Sequence, residues 1–122
     1  MGKILLFNVN IFKYNQIKSV CDKLGHSLIL VKKEQYGNKI GEIAGIIPGK
    51  MMMNTNTDID DEMMVFVGLD SDSLDIFLAE YKKASVSPIL RKAIMTPANI
   101  NWTVKELFED LDEHVKNGRE KN

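Results

Sequence analysis

Four short apolar runs, each followed by apolar residues at helical spacing, restrict this chain to few folds. Lys3-Ile4-Leu5-Leu6-Phe7-Asn8 opens the series. A continuous run of this length suits a strand buried on both faces, as in the interior of a parallel sheet. Ile17, Val20, Cys21 and Leu24 then share one helical stripe, and Gly25 stands where a C-terminal cap belongs. Ser27 to Val31 is a second run. Tyr36, Ile40, Ile43, Ala44 and Ile47 form a second stripe that ends at Pro48-Gly49. Met63 to Gly68 is a third run, followed by a stripe of Leu74, Phe77, Leu78 and Tyr81. Leu90 to Met95 is the fourth, and Val104, Leu107, Phe108, Leu111 and Val115 make the last stripe.

The order β-α-β-α-β-α-β-α predicts an α/β fold, a three-layer sandwich. Its four-stranded sheet is expected to be mostly parallel, in the order 2-1-3-4, with helices on both faces. No internal repeat is visible in the residues. The 122 residues suit one domain, expected over 1–117 with 118–122 as a disordered tail. Sixteen basic against seventeen acidic residues leave a net charge of −1, which argues against a strongly basic nucleic-acid binder. No apolar run approaches a membrane span, so no membrane partner is expected. One cysteine excludes an internal disulfide framework and a multi-cysteine metal site. The expected setting is cytoplasmic.

In an open parallel sheet, ligands bind beyond the carboxyl ends of the strands. The polar residues expected there are Asn8, Asn10, Asp70, Thr96, Asn99 and Asn101, and these six are the candidate ligand-binding residues. None is assigned a catalytic role. Glycine-rich nucleotide motifs and H-E-x-x-H are absent, so no cofactor is expected. A phosphorylated receiver domain would need an acidic pair after strand 1, where this chain has Asn8 and Asn10. Asn54, Asn56 and Asp58 begin an EF-hand-like count, but Ile59 stands where the turn needs glycine and Val65 where it needs glutamate. No metal site is expected. Residues 50 to 61 read instead as a solvated loop, the least ordered internal segment. His26 and His114 read as surface or packing residues, and Cys21 as a small buried hydrophobe.

Thr103 and Glu106 form a capping box, and Trp102 and Leu107 a hydrophobic staple, so the last helix starts near Val104. Trp102 is therefore expected to be structural. Asn99 and Asn101 are expected to be free for recognition, and alanine at either to leave stability nearly unchanged. Gly37, Gly41 and Gly45 recur every four residues and would share one face of a continuous second helix. That face predicts a close approach, by the sheet, by a second copy of the chain or by a ligand.

Several motifs of the C-terminal half form one pattern. They are Asp61-Glu62-Met63-Met64-Val65-Phe66, Leu74 with Phe77-Leu78, and Lys92-Ala93-Ile94-Met95-Thr96-Pro97 with Asn99, Trp102 and Leu107. This pattern resembles a bacterial domain-of-unknown-function family, number 3783, over about residues 60–112. The resemblance implies a bacterial cytosolic protein and no particular substrate. The reading of the whole chain is a non-catalytic binding or regulatory module that self-associates, with a small-molecule or protein partner. The alternative is a small enzyme or ligand sensor using the six polar residues. A third reading is an adaptor whose Lys82, Lys83, Arg91 and Lys92 meet an acidic partner.

Overall fold

A computed structural model describes residues 2–49 and 57–121. The strands are β1 (Lys3–Phe7), β2 (Ser27–Val31), β3 (Met63–Val67) and β4 (Arg91–Ile94). The helices are α1 (Ile11–Leu24), α2 (Ile40–Ile43), α3 (Ser71–Lys83) and α4 (Val104–Lys121). The last of these runs past Asn117, into the segment expected as tail.

The sheet order is β2-β1-β3-β4, as the apolar runs predict. The sheet is mixed, however. β1 pairs in parallel with β2 and β3 in parallel with β4, but the central pair β1–β3 is antiparallel. Sequence pattern alone does not distinguish these cases, because a strand buried on both faces reads the same in either direction. The chain between β2 and β3 leaves and returns at the same end of the sheet, so it makes no crossover.

Side chains alternate between the faces along each strand. Leu5, Phe7, Met63, Val65 and Val67 face α2 and α4, and pack with Tyr36, Ile40, Val104, Leu107 and Phe108. Ile4, Leu6, Met64 and Phe66 face α1 and α3, and pack with Ile17, Val20, Cys21, Phe77 and Tyr81.

The antiparallel centre gives the fold an internal two-fold that the residues hide. The units β1-α1-β2-α2 and β3-α3-β4-α4 have the same element order, and α1 and α3 share one face. Leu5 pairs with Val65 while Lys3 pairs with Val67 and Phe7 with Met63, so the axis passes through the Leu5–Val65 pair. On the other face an isolated bridge joins Lys39 to Thr103, which occupy equivalent places just before α2 and α4. Special backbone positions match as well. Asn8 after β1 and Gly68 after β3 are both left-handed, and so are Gly25 after α1 and Ser85 after α3. Asn10 caps α1 and Asp70 caps α3. The repeat lies in conformation and capping rather than in residue identity.

The second helical stripe is mostly not a helix. A 3-10 turn covers Lys33–Gln35, and α2 is a single turn followed by Gly45 at φ 76°. Interior glycines weaken a helix, and the N–H groups of Ile40 and Gly41 bond outside it, to the carbonyls of Trp102 (2.8 Å) and Ile100 (2.9 Å). Gly37, Gly41 and Gly45 therefore do not form a continuous helical face. Gly41 is small because the loop after β4 lies on it. A Cβ there would stand 2.5 Å from Ile100 Cγ1 and 2.8 Å from its carbonyl oxygen.

Residues 50–56 of the expected loop, including Asn54 and Asn56, lie outside the described residues. Residues 57–61 are irregular but anchored, contrary to a solvated loop. Ile59 is 4% exposed and joins the core under α4. Asn8 Nδ2 donates to the carbonyls of Ile59 (3.1 Å) and Asp61 (3.4 Å). Asp58 pairs with Lys33, and Asp61 with Arg91.

Overpacking of a close backbone approach is costly. Gly41→Ala should destabilise the domain by about 1–3 kcal/mol in urea unfolding. An unchanged midpoint would show that the loop after β4 yields freely.

Candidate functional site

The mixed sheet divides the six candidate residues between two ends. Asn8 and Asn10 lie where β1 and β2 finish. Asp70, Thr96, Asn99 and Asn101 lie at the opposite end, where β3 and β4 finish. The two groups do not converge on one ligand.

Most of them have local structural work. Asn10 Oδ1 accepts from the Lys13 N–H at 2.8 Å, and Asp70 Oδ1 from the Ser73 N–H at 2.7 Å. These are ordinary N-caps. Thr96 Oγ1 accepts from the Ala98 N–H at 3.2 Å. Asn99 Oδ1 accepts from the Thr96 N–H at 2.8 Å, and its Nδ2 donates to the Ile94 carbonyl at 3.0 Å. The Asn99 carboxamide is thus engaged rather than free, and the half-buried loop it closes holds α2 through Ile100 and Trp102. Asn101 is exposed. The capping box forms as expected: Glu106 Oε1 accepts from the Thr103 N–H at 2.9 Å, and Thr103 Oγ1 from the Glu106 N–H at 3.3 Å.

Where β1 and β2 end, Asn8, Asn10, Lys32, Tyr36 and Glu62 border a cleft of about 470 Å³. Beneath it, the buried Lys13 ammonium meets Glu62 Oε1 at 2.6 Å. Ile11 and Phe12 begin α1 beside this cleft and are 64% and 73% exposed.

A second concavity opens between α3 and β4. It has a volume of about 440 Å³. Met64 of β3, Leu78 and Tyr81 of α3, and Val86, Pro88 and Ile89 of the connecting loop line it. Lys82 and Lys92 also border it. A shallower extension of about 290 Å³ continues along β4 past Leu74 and Ile94, sharing Leu78 and Lys92. The trough arises where the internal symmetry breaks. The equivalent connection between α1 and β2 is only 25–26, whereas residues 84–90 join α3 to β4. The longer loop is firmly held. Val86 and Ile89 are buried, and the Tyr81 hydroxyl donates to the Ser87 carbonyl at 2.6 Å. Burial pushes the Tyr81 phenol up to about 12, which keeps it a donor.

The trough was not legible in the sequence, because its walls come from β3, α3 and a loop that reads as a plain connection. The available signal was the apolar pair Val86 and Ile89 within a Ser- and Pro-rich stretch. The basic cluster is also split. Arg91 turns to the opposite face, where it lies 5.3 Å from the Phe108 ring centroid and bonds Asp61 and Asp112. Lys83 lies 3.9 Å from Glu80. Lys82 and Lys92 remain together at the trough, with no ion pair to either among the described residues. Burial pushes the Cys21 thiol up to about 12, so it packs as an apolar group. His26 Nδ1 accepts from the Gly2 N–H at 3.1 Å, and burial lowers its pKa.

These features define a small α/β domain of two like halves, with an apolar trough at one edge of the sheet. Residues 62–114 match the model of a family described as a domain of unknown function (DUF3783), which bears out the resemblance read from the C-terminal motifs. The matched stretch falls within the second β-α-β-α unit. No curated protein and no solved structure matches the chain.

Removing both Asn99 bonds should cost stability, unlike the removal of a free recognition group. Asn99→Ala is expected to lose about 1–2 kcal/mol, and Trp102→Ala about 3 kcal/mol, in chemical unfolding. Asn99→Ala at wild-type stability would contradict the turn assignment.

Backbone N–H donors hold the carboxyls of Glu42, Asp70 and Glu106 below their ordinary range. A lowered folded pKa means stability that is complete above the unfolded pKa and is lost as pH falls through the folded one. The melting temperature should therefore fall between about pH 5 and 3, less steeply in Asp70→Asn, which keeps the cap without the titration. Identical slopes would remove Asp70 from the acid response.

Proposed function

We propose that this domain is a non-catalytic binding module that holds an apolar polypeptide segment of a partner protein between α3 and β4. The observation that carries the reading is the trough itself, walled by the 84–90 loop, which is longer than its counterpart at 25–26. Its lining is mainly aliphatic, which suits side chains leaving water. Lys82 and Lys92 favour carboxylates on the partner. A bacterial cytoplasm is the proposed setting, and the free, buried Cys21 suits a reducing compartment.

The dye 8-anilinonaphthalene-1-sulfonate is apolar and anionic, and tests the surface directly. It should bind saturably to the native protein with enhanced fluorescence. Leu78→Asp should weaken binding at least about tenfold, since a carboxylate must then be desolvated in the trough, with circular dichroism unchanged. Lys92→Glu should weaken it less. Equal binding by Leu78→Asp would place the dye elsewhere and remove the reading.

The cleft beside Asn8, Asn10, Lys32 and Tyr36 supports a second reading, a small enzyme or sensor for a polar small molecule. Native mass spectrometry of the purified protein addresses it. A retained small molecule lost on Lys32→Glu would favour this cleft over the trough.

A further inference from the structure

We infer that the occupant of the trough binds as an added strand on the outer edge of β4, and that the Asn99 side chain fixes where that strand ends. This rests on the trough reading and adds the binding mode.

β4 is the last strand of the sheet, so its outer edge has no strand partner among the described residues. The register fixes which backbone groups lie there. The Met95 N–H donates to the Phe66 carbonyl at 2.8 Å, toward β3. Backbone direction alternates along a strand. Arg91, Ala93 and Met95 thus point inward, and Lys92 and Ile94 point outward.

At the far end the outward groups are already satisfied. The Asn99 carboxamide bridges the Ile94 carbonyl and the Thr96 N–H. A residue of a neighbouring strand in a parallel ladder makes the same two bonds through its own N–H and C=O, to a carbonyl and to the N–H two residues on. Asn99 is therefore a surrogate strand, closing the edge where β4 runs out. Guarded edges are the usual way to prevent indiscriminate pairing. The Ile94 N–H and both backbone groups of Lys92 have no hydrogen bond outside the ladder among the described residues.

This short open edge runs beside the trough, because the Lys92 and Ile94 side chains line its extension. A strand added there would place alternate side chains over the trough, and strand addition combines main-chain bonds with pockets for alternate residues in this way. Lys82 and Lys92 lack ion-pair partners in the described structure and select acidic residues. The occupant is thus a short extended segment that mixes aliphatic and acidic residues.

The test uses the full chain, isotopically labelled, and a six-residue peptide in which valine and glutamate alternate along one face of the strand, with threonine at the positions between. Controls are the same peptide with lysine for glutamate, and one with alternate backbone nitrogens methylated. The acidic peptide should shift the Leu78 methyl resonances and slow amide exchange at Lys92 and Ile94 at least tenfold. The lysine peptide should bind at least tenfold more weakly, and one register of the methylated peptide should not bind. In Asn99→Ala, the acidic peptide should also slow exchange at Thr96. Asn99→Ser, whose shorter side chain no longer spans the Ile94 carbonyl and the Thr96 N–H, serves if the alanine variant does not fold.

Leu78 shifts without slowed Lys92 and Ile94 amides, and equal binding of methylated peptides, would overturn strand addition and leave the trough reading standing. No Leu78 shift with the acidic peptide would overturn both. A dimer whose Lys92 and Ile94 amides are protected before peptide is added would show a second copy on the edge, and would overturn the proposal.

Discussion

The antiparallel pairing of β1 with β3 organises the rest of the molecule. Both strands are buried on both faces, so their backbone groups must find partners within the sheet. The pairing joins two βαβ units, each with its own parallel pair and crossover helix. Because the centre is antiparallel, the two units are related by rotation. That rotation puts α1 and α3 on one face and brings Lys39 to Thr103 on the other. It also sends the ends of β1 and β2 one way and the ends of β3 and β4 the other.

Charged groups also hold the entry to the second unit in place. Arg91 is 7% exposed and bonds Asp61, in the approach to β3, and Asp112 on α4. Lys13 reaches from α1 to Glu62. Burying such a charge is tolerable only with its partner present, so both pairs fix position more than they add net stability. Each ties the start of the second unit to an element packed against the sheet.

Much of this was legible in the residues. The apolar runs marked all four strands, and the order 2-1-3-4 follows from them. The start of α4 was written in Thr103 and Glu106, because a capping box is a local interaction. Strand direction was not legible, since Met63 to Val67 is apolar throughout and carries no sign of polarity. The candidate site inherited that gap. The residues alone group Asn8 and Asn10 with Asp70, Thr96, Asn99 and Asn101 only on the premise that all the strands finish at one end. Asn99 reads as a recognition group because its partners, the Ile94 carbonyl and the Thr96 N–H, are backbone groups whose direction no residue type reveals. The internal two-fold was hidden for a related reason. Asn8 and Gly68 share a left-handed backbone, and Asn10 and Asp70 a capping role, without sharing a residue type.

The broken symmetry at the 84–90 loop sets the valency of the molecule. A body made of two identical halves would present the same binding edge twice, and could bridge two partners or propagate into a filament. Here the connection at 25–26 is too short to build the second wall, and Gln35 stands where the other half has Asn99. Among the described residues, one copy of the chain therefore offers one such trough. On the proposed reading, the domain ends a chain of contacts or marks a single partner and does not crosslink through this surface.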